Sequence, residues 1–163
     1  MISSETVITG MCEKEQSLKL PEFALNNFYR AFNTCDMDLM SQNWMNSYES
    51  SMSNPLGGLK RGWQSIKKVY ENIFFGPSNV YVEFHDITIH EAQDMFIAVG
   101  RERGYFQLGE NKIGLQIRTS RSFKLVAGLW QQIHHHGSIE DPELLRHYQN
   151  SVRTIKHDEQ FSE

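Results

Sequence analysis

From Val80 to Ser138 the chain alternates apolar and polar residues with a period of two, and that run constrains the fold more than any other feature. Four segments carry it: "VYVEFHDITIHE", "DMFIAVGRERGYFQL", "KIGLQIRTSRSFKL" and "LWQQIHHHGS". Side chains on a strand point alternately to its two faces, so each segment reads as a long strand. The breaks between them hold turn residues at Ala92–Asp94, Gly109–Asn111 and Ala127–Gly128. Connections this short join antiparallel neighbours.

Ahead of the strands the period is helical. Pro21 suits a first helical turn, where its missing N–H costs nothing. Leu25, Phe28, Phe32 and Cys35 then recur at helical spacing. Asp36 is an N-cap candidate for a second helix with Met37, Met40 and Trp44 on its apolar stripe. Tyr48, Ser50 and Met52 alternate as one short strand, and "NPLGG" turns the chain. Gly62 precedes a third helix bearing Trp63, Ile66, Tyr70 and Ile73, which "GPSN" ends. Asp141-Pro142 opens a closing helix with Leu144, Leu145, Tyr148, Val152 and Ile155 on one side.

This order predicts one α+β domain: a cone-shaped, curved antiparallel sheet packed against three N-terminal helices, with a C-terminal helix. The 163 residues suit a single domain with its own core. The boundaries expected are an arm over 1–20, the domain over 21–139, a C-terminal helix over 140–156 and a tail over 157–163. A curved sheet capped by helices encloses a pocket.

Composition removes several classes. Net charge is −4 and the pI is near 6.0, so no nucleic-acid partner is expected. No apolar run reaches about 18 residues, so no membrane partner is expected. The opening "MISSETVITGMCEKEQ" shows no secretory pattern. Cys12 and Cys35 read as two free thiols in a reducing compartment, which places the protein in the cytoplasm. Gly57-Gly58 lacks the Lys-Ser/Thr ending of a phosphate loop, and no cofactor is expected.

Chemistry has to come from few groups. In "GLWQQIHHHGSI" strand parity puts Trp130, Gln132, His134 and His136 on one face and His135 on the other. His134 and His136 are near enough to share a metal, but zinc needs a third protein ligand. His85 and His90 are the only obvious supply and sit on opposite faces of their strand. No metal is therefore assigned. The histidines are either hydrogen-bonded residues of a sheet or dimer face, or pocket residues, one of them an acid–base group. Arg121 shares its face with Leu115, Ile117, Phe123 and Leu125. A charge there either meets a carboxylate such as Glu83 or Glu102, or faces a ligand anion. Arg101 shares a face with Arg103, Tyr105 and Val99. Trp44 and Trp63 belong to helical stripes where core and pocket wall are continuous, and Tyr48 is placed near the mouth.

Three stretches, "FYRAFNTCDMDLMSQNW", "NPLGGLKRGWQSIKKVYENIF" and "RTSRSFKLVAGLWQQIHHHGS", resemble in order and spacing the nuclear transport factor 2-like superfamily. That group includes SnoaL-like cyclases, ketosteroid isomerases and the hub domain of calcium/calmodulin-dependent kinase. The resemblance to the hub sets Trp130, His134, His136 and Ser138 on its last-strand pattern. It sets pocket arginines on Arg101 and Arg121, with Gly137 where a third would stand. The resemblance to ketosteroid isomerase puts Asn54 where that family has its base Asp. It puts Phe28, one residue from Tyr29, where that family has its oxyanion-hole Tyr. No acid stands on "LQIRTSRSF", so the isomerase reaction with those groups is not expected.

The reading is a homodimer, paired through the convex sheet face, that binds a small, mostly apolar molecule. His134 and His136 are the candidate catalytic residues. Phe28, Trp44, Tyr48, Asn54, Trp63, Arg101, Tyr105 and Arg121 are the candidate ligand contacts. An isomerase, cyclase or hydrolase with a histidine base and a non-catalytic binding or assembly module both fit.

Overall fold

The computed structural model describes residues 6–11 and 20–160. Cys12, much of the expected arm and the end of the tail lie outside the described residues, as does the side chain of Ile155. The order is α1 (Pro21–Asn33), α2 (Met37–Asn43), β1 (Ser51–Ser53), β2 (Leu59–Arg61), α3 (Trp63–Phe74), β3 (Asn79–Glu91), β4 (Met95–Leu108), β5 (Asn111–Val126), β6 (Leu129–Ile139) and α4 (Pro142–Gln160). The four long strands fall where the alternation places them. α4 runs past the expected end at 156.

The helices start for local reasons. Pro21 opens α1, whose buried side is Leu25, Phe28, Tyr29 and Phe32. Asp36 caps α2, its carboxylate accepting from Leu39 N at 2.9 Å. Asp141 does the same for α4, accepting from Glu143 N at 2.8 Å. Cys35 does not continue the α1 stripe. It is exposed, in the left-handed region at φ 54°.

The sheet is six-stranded and open, in the order β2-β1-β6-β5-β4-β3. β3 to β6 pair antiparallel. The single short strand expected around Tyr48 is instead the β1–β2 hairpin. β1 lies parallel to β6, Ser51 opposite His134 and Met52 opposite His135, so the sheet is mixed. Its inner face carries Phe84, Phe96, Ala98, Phe106, Leu115, Ile117 and Phe123, packed under α1 and α3 in an α+β cone closed on one side by α4. Removing that apolar surface from water is the main force holding helices to sheet.

Two bulges shape the cone. On β3 the register shifts between His85 and Thr88, with Asp86 at φ 53°. On β6, Phe123 faces Gln132 while Ser122 faces His134. Ile133 is the extra residue. A bulge bends its strand and resets its parity. Trp130 and Gln132 point inward before it, and His135, Gly137 and Ile139 after it. His134 and His136 therefore do not share a face with Gln132, contrary to simple alternation.

Candidate functional site

Four inward side chains from four elements meet on the cone floor. β5 brings Arg121, only 2% exposed, and β4 brings Glu102. Arg121 Nη2 donates to Glu102 Oε1 at 2.6 Å. Arg121 Nη1 donates to Gln132 Oε1 of β6 at 3.1 Å. Arg121 Nε donates to Tyr29 Oη of α1 at 3.2 Å, and that hydroxyl donates to Glu102 Oε1 at 2.8 Å. The guanidinium also lies over the Phe28 ring, 3.5 Å from its centroid, a cation–π contact strengthened by burial. Glu102 and Arg121 hold each other's charge, the arrangement that makes a buried ion affordable. Burial, then the Glu102 carboxylate, raises the Tyr29 hydroxyl well above its ordinary pKa, so it stays protonated.

Around this floor lies a cavity of about 560 Å³. Its lining includes Phe28 and Phe32 of α1, Tyr70 of α3, Glu102, Arg121 and His135 of the sheet, and Tyr148 of α4. Among the described residues several buried polar atoms near the floor lack a hydrogen-bond partner: Tyr70 Oη, both ring nitrogens of His135, Trp44 Nε1, Gln132 Nε2 and Thr119 Oγ1. The Tyr70 hydroxyl is near the Trp44 indole and Arg121 without hydrogen-bond geometry to either. Burial pushes its pKa up to about 12. Burial, and then the Arg121 charge, holds His135 well below the usual imidazole value. His135 is thus neutral at physiological pH, with one N–H donor and one bare nitrogen.

Phe28 and Arg121 line the cavity, and Asn54 stands on its wall with Oδ1 taken by Leu56 N at 2.8 Å. The other expected contacts are elsewhere. Trp44 and Trp63 are buried against each other, centroids 6.1 Å apart, behind the wall. Tyr48 is 84% exposed because its segment is the turn before β1 rather than part of a strand. Arg101 is on the outer face, 3.1 Å from Asp86. Tyr105 is outside too, stacked on Tyr81 and under Lys112. Inward parity on β4 belongs to Ala98, Glu102 and Phe106.

The catalytic candidates need the same correction. His134 Nδ1 is bonded to Ser51 Oγ at 2.7 Å, on the face opposite Met52 and His135. His136 is exposed and borders an outer depression with Asp86, Arg101 and Arg118. The Ile133 bulge leaves His135 as the inward histidine. Gly137 follows it because a Cβ there would lie 2.6 Å from Pro55 Cγ, so no third arginine fits at that position. Glu102 was legible as a partner for Arg121, whereas Tyr29, Tyr70 and Tyr148 became site residues only in three dimensions. Among the described residues no group of three His, Cys, Asp or Glu side chains is placed to hold a metal. No helix among them is long and apolar enough to cross a membrane.

Residues 22–142 match the SnoaL-like domain family. The chain belongs to that family. A comparison with curated proteins found no match. Among solved structures this SnoaL-like domain resembles a candidate calcium/calmodulin-dependent protein kinase type II association domain from Thiobacillus denitrificans, with 20% identity, TM-score 0.64, and 74% of this chain and 95% of that one covered. A candidate dehydratase of the NTF2-like family from Streptomyces avermitilis gives 17% identity, TM-score 0.66, and coverage of 72% and 91%. A ketosteroid isomerase-like protein from Erwinia carotovora atroseptica gives 16%, 0.64, and 79% and 100%. At these identities the likeness is one of fold, and sites grafted on one fold do different chemistry.

Proposed function

We propose that this SnoaL-like domain binds a small, mostly apolar molecule in its cone, with Arg121 and His135 orienting the polar end. One observation carries the reading. The cavity of about 560 Å³ is largely apolar, yet Tyr70 and His135, which border it, carry buried polar atoms without a hydrogen-bond partner. A buried polar group without a partner costs about 1–3 kcal/mol, and a bound molecule would supply the missing bonds.

As an enzyme, the site suits an isomerase, cyclase or hydrolase that moves a proton. His135, neutral near physiological pH and so with one bare ring nitrogen, would be the base. Arg121 uses three of its five N–H groups within the protein and keeps two for a developing oxyanion. His135 takes this role in place of His134 and His136. A non-catalytic binding module is the second reading. It is favoured by Glu102, which already matches the Arg121 charge at 2.6 Å and weakens the pull on a substrate oxygen.

The experiment is a calorimetric screen of small aromatic and alicyclic compounds, followed by variants. A true ligand should lose about tenfold affinity, roughly 1.4 kcal/mol, in Tyr70→Phe and His135→Phe. It should be unaffected by His134→Phe and His136→Phe. Losses confined to the outer histidines would refute the site.

We also infer that two copies pair through the outer sheet face, where Met95, Ile97 and Val99 are exposed. Sedimentation of Ile97→Glu tests this: a monomer is expected, and an unchanged dimer would move the interface elsewhere. The free thiol of Cys35 suits a cytoplasmic setting.

A further inference from the structure

We infer that the cavity takes an uncharged molecule whose buried polar group is a carbonyl-type hydrogen-bond acceptor, and that it discriminates against carboxylates and phosphates. This deepens the ligand-binding reading above and rests on it.

The charge inventory of the cone is the first ground. Two buried ionic groups line it, Arg121 and Glu102, and they cancel. Lys60 and Glu71 also border it, but Lys60 is exposed and Glu71 is 3.6 Å from Lys67. An anion reaching Arg121 would come close to Glu102, whose Oε1 is 2.6 Å from Nη2. One guanidinium would then serve two buried negative charges, and like charges sharing such a site disfavour each other strongly. A second cation could offset this. Arg101 is on the far face of the sheet, and Gly137 leaves no room for another.

The hydrogen-bonding inventory is the second ground. Two N–H groups of Arg121, the Tyr70 hydroxyl and one N–H of His135 are donors without a protein partner among the described residues. The bare nitrogen of His135 and the lone pairs of the Tyr70 hydroxyl are the uncommitted acceptors among them. A donor-rich wall whose buried charges cancel matches a ketone, ester, lactone or amide oxygen, which accepts bonds without bringing charge. Phe28, Phe32, Phe106, Leu115 and Ile117 surround the rest of such a molecule.

Matched probe pairs test this: 2-acetylnaphthalene against 2-naphthoate, and acetophenone against benzoate. Each pair keeps shape and changes charge. Titration calorimetry on the full chain near pH 7.5 should show each ketone binding at least tenfold more tightly than its acid. Equal or tighter binding of the acids would overturn the inference while leaving the pocket intact. Failure of all four probes would remove the pocket reading and this inference with it. Glu102→Gln adds a second readout. With its neutralising charge gone, Arg121 should accept 2-naphthoate at least tenfold more tightly than before. If that variant does not fold, the wild-type pairs decide alone.

Discussion

Arg121 and Arg101 stand on adjacent strands, and each is paired with a carboxylate, but they lie on opposite faces of one sheet. Arg121 and Glu102 are 2% and 5% exposed at the side chain. Arg101 and Asp86 are 54% and 45% exposed. The inner pair is held by a tyrosine, a glutamine and an aromatic platform, whereas the outer one is a solvated ion pair that Asp86 also shares with Arg103 at 3.3 Å. Identical chemistry has opposite consequences because water competes freely for the outer pair and has little access to the inner one.

Removing one partner from each pair breaks that contrast most sharply. Glu102→Ala should cost about 3–5 kcal/mol, since it leaves a buried guanidinium unpaired. Asp86→Asn, which keeps a residue suited to the left-handed backbone there, should cost less than about 1 kcal/mol. Urea denaturation of both variants measures the difference, and equal losses would show that burial is not the deciding variable.

Tyrosines extend the test at smaller scale. Tyr29→Phe strips a hydroxyl bonded to both Glu102 and Arg121 and should cost about 1–3 kcal/mol. Tyr81→Phe, whose hydroxyl donates to Glu83 at the surface of β3 at 2.9 Å, should cost much less in the same assay.

Acidity separates the histidines. His135 is depressed in the folded state, so the unfolded chain binds more protons as pH falls below the ordinary imidazole value of about 6.5. Stability is constant above that value and declines below it, by at most about 1.4 kcal/mol per pH unit for one group. His134, lowered by partial burial and then by His136, adds to the same slope. Thermal melts of His135→Phe should show a shallower decline, and an unchanged slope would mean that His135 is not held neutral. The least effect belongs to His136→Ser, within about 0.5 kcal/mol at an exposed position.

The long strands and three N-terminal helices were legible because their period and turn residues act locally. Pro21, Asp36 and Asp141 each mark a helix start by a bond or ring that needs no tertiary partner. The β1–β2 hairpin was not, since three-residue strands carry too little pattern to name a neighbour. Half of the site followed from parity, which put Arg121 inward and made Glu102 a candidate partner. The histidines failed because Ile133, an ordinary apolar residue, is the bulge, and only the pairing of Phe123 with Gln132 reveals it. Tyr29 was noted beside Phe28 but not assigned, because adjacent helical residues point about 100° apart, yet both Phe28 and Tyr29 reach Arg121.

That double reach fixes the azimuth of α1. Rolling the cylinder either way about its axis would lift the phenyl platform from the guanidinium or withdraw the phenol from it. Asn33 adds a third anchor at the far end, donating to Val82 O at 2.8 Å and accepting from Val82 N at 3.1 Å. This wall of the cone is therefore held against both roll and slide.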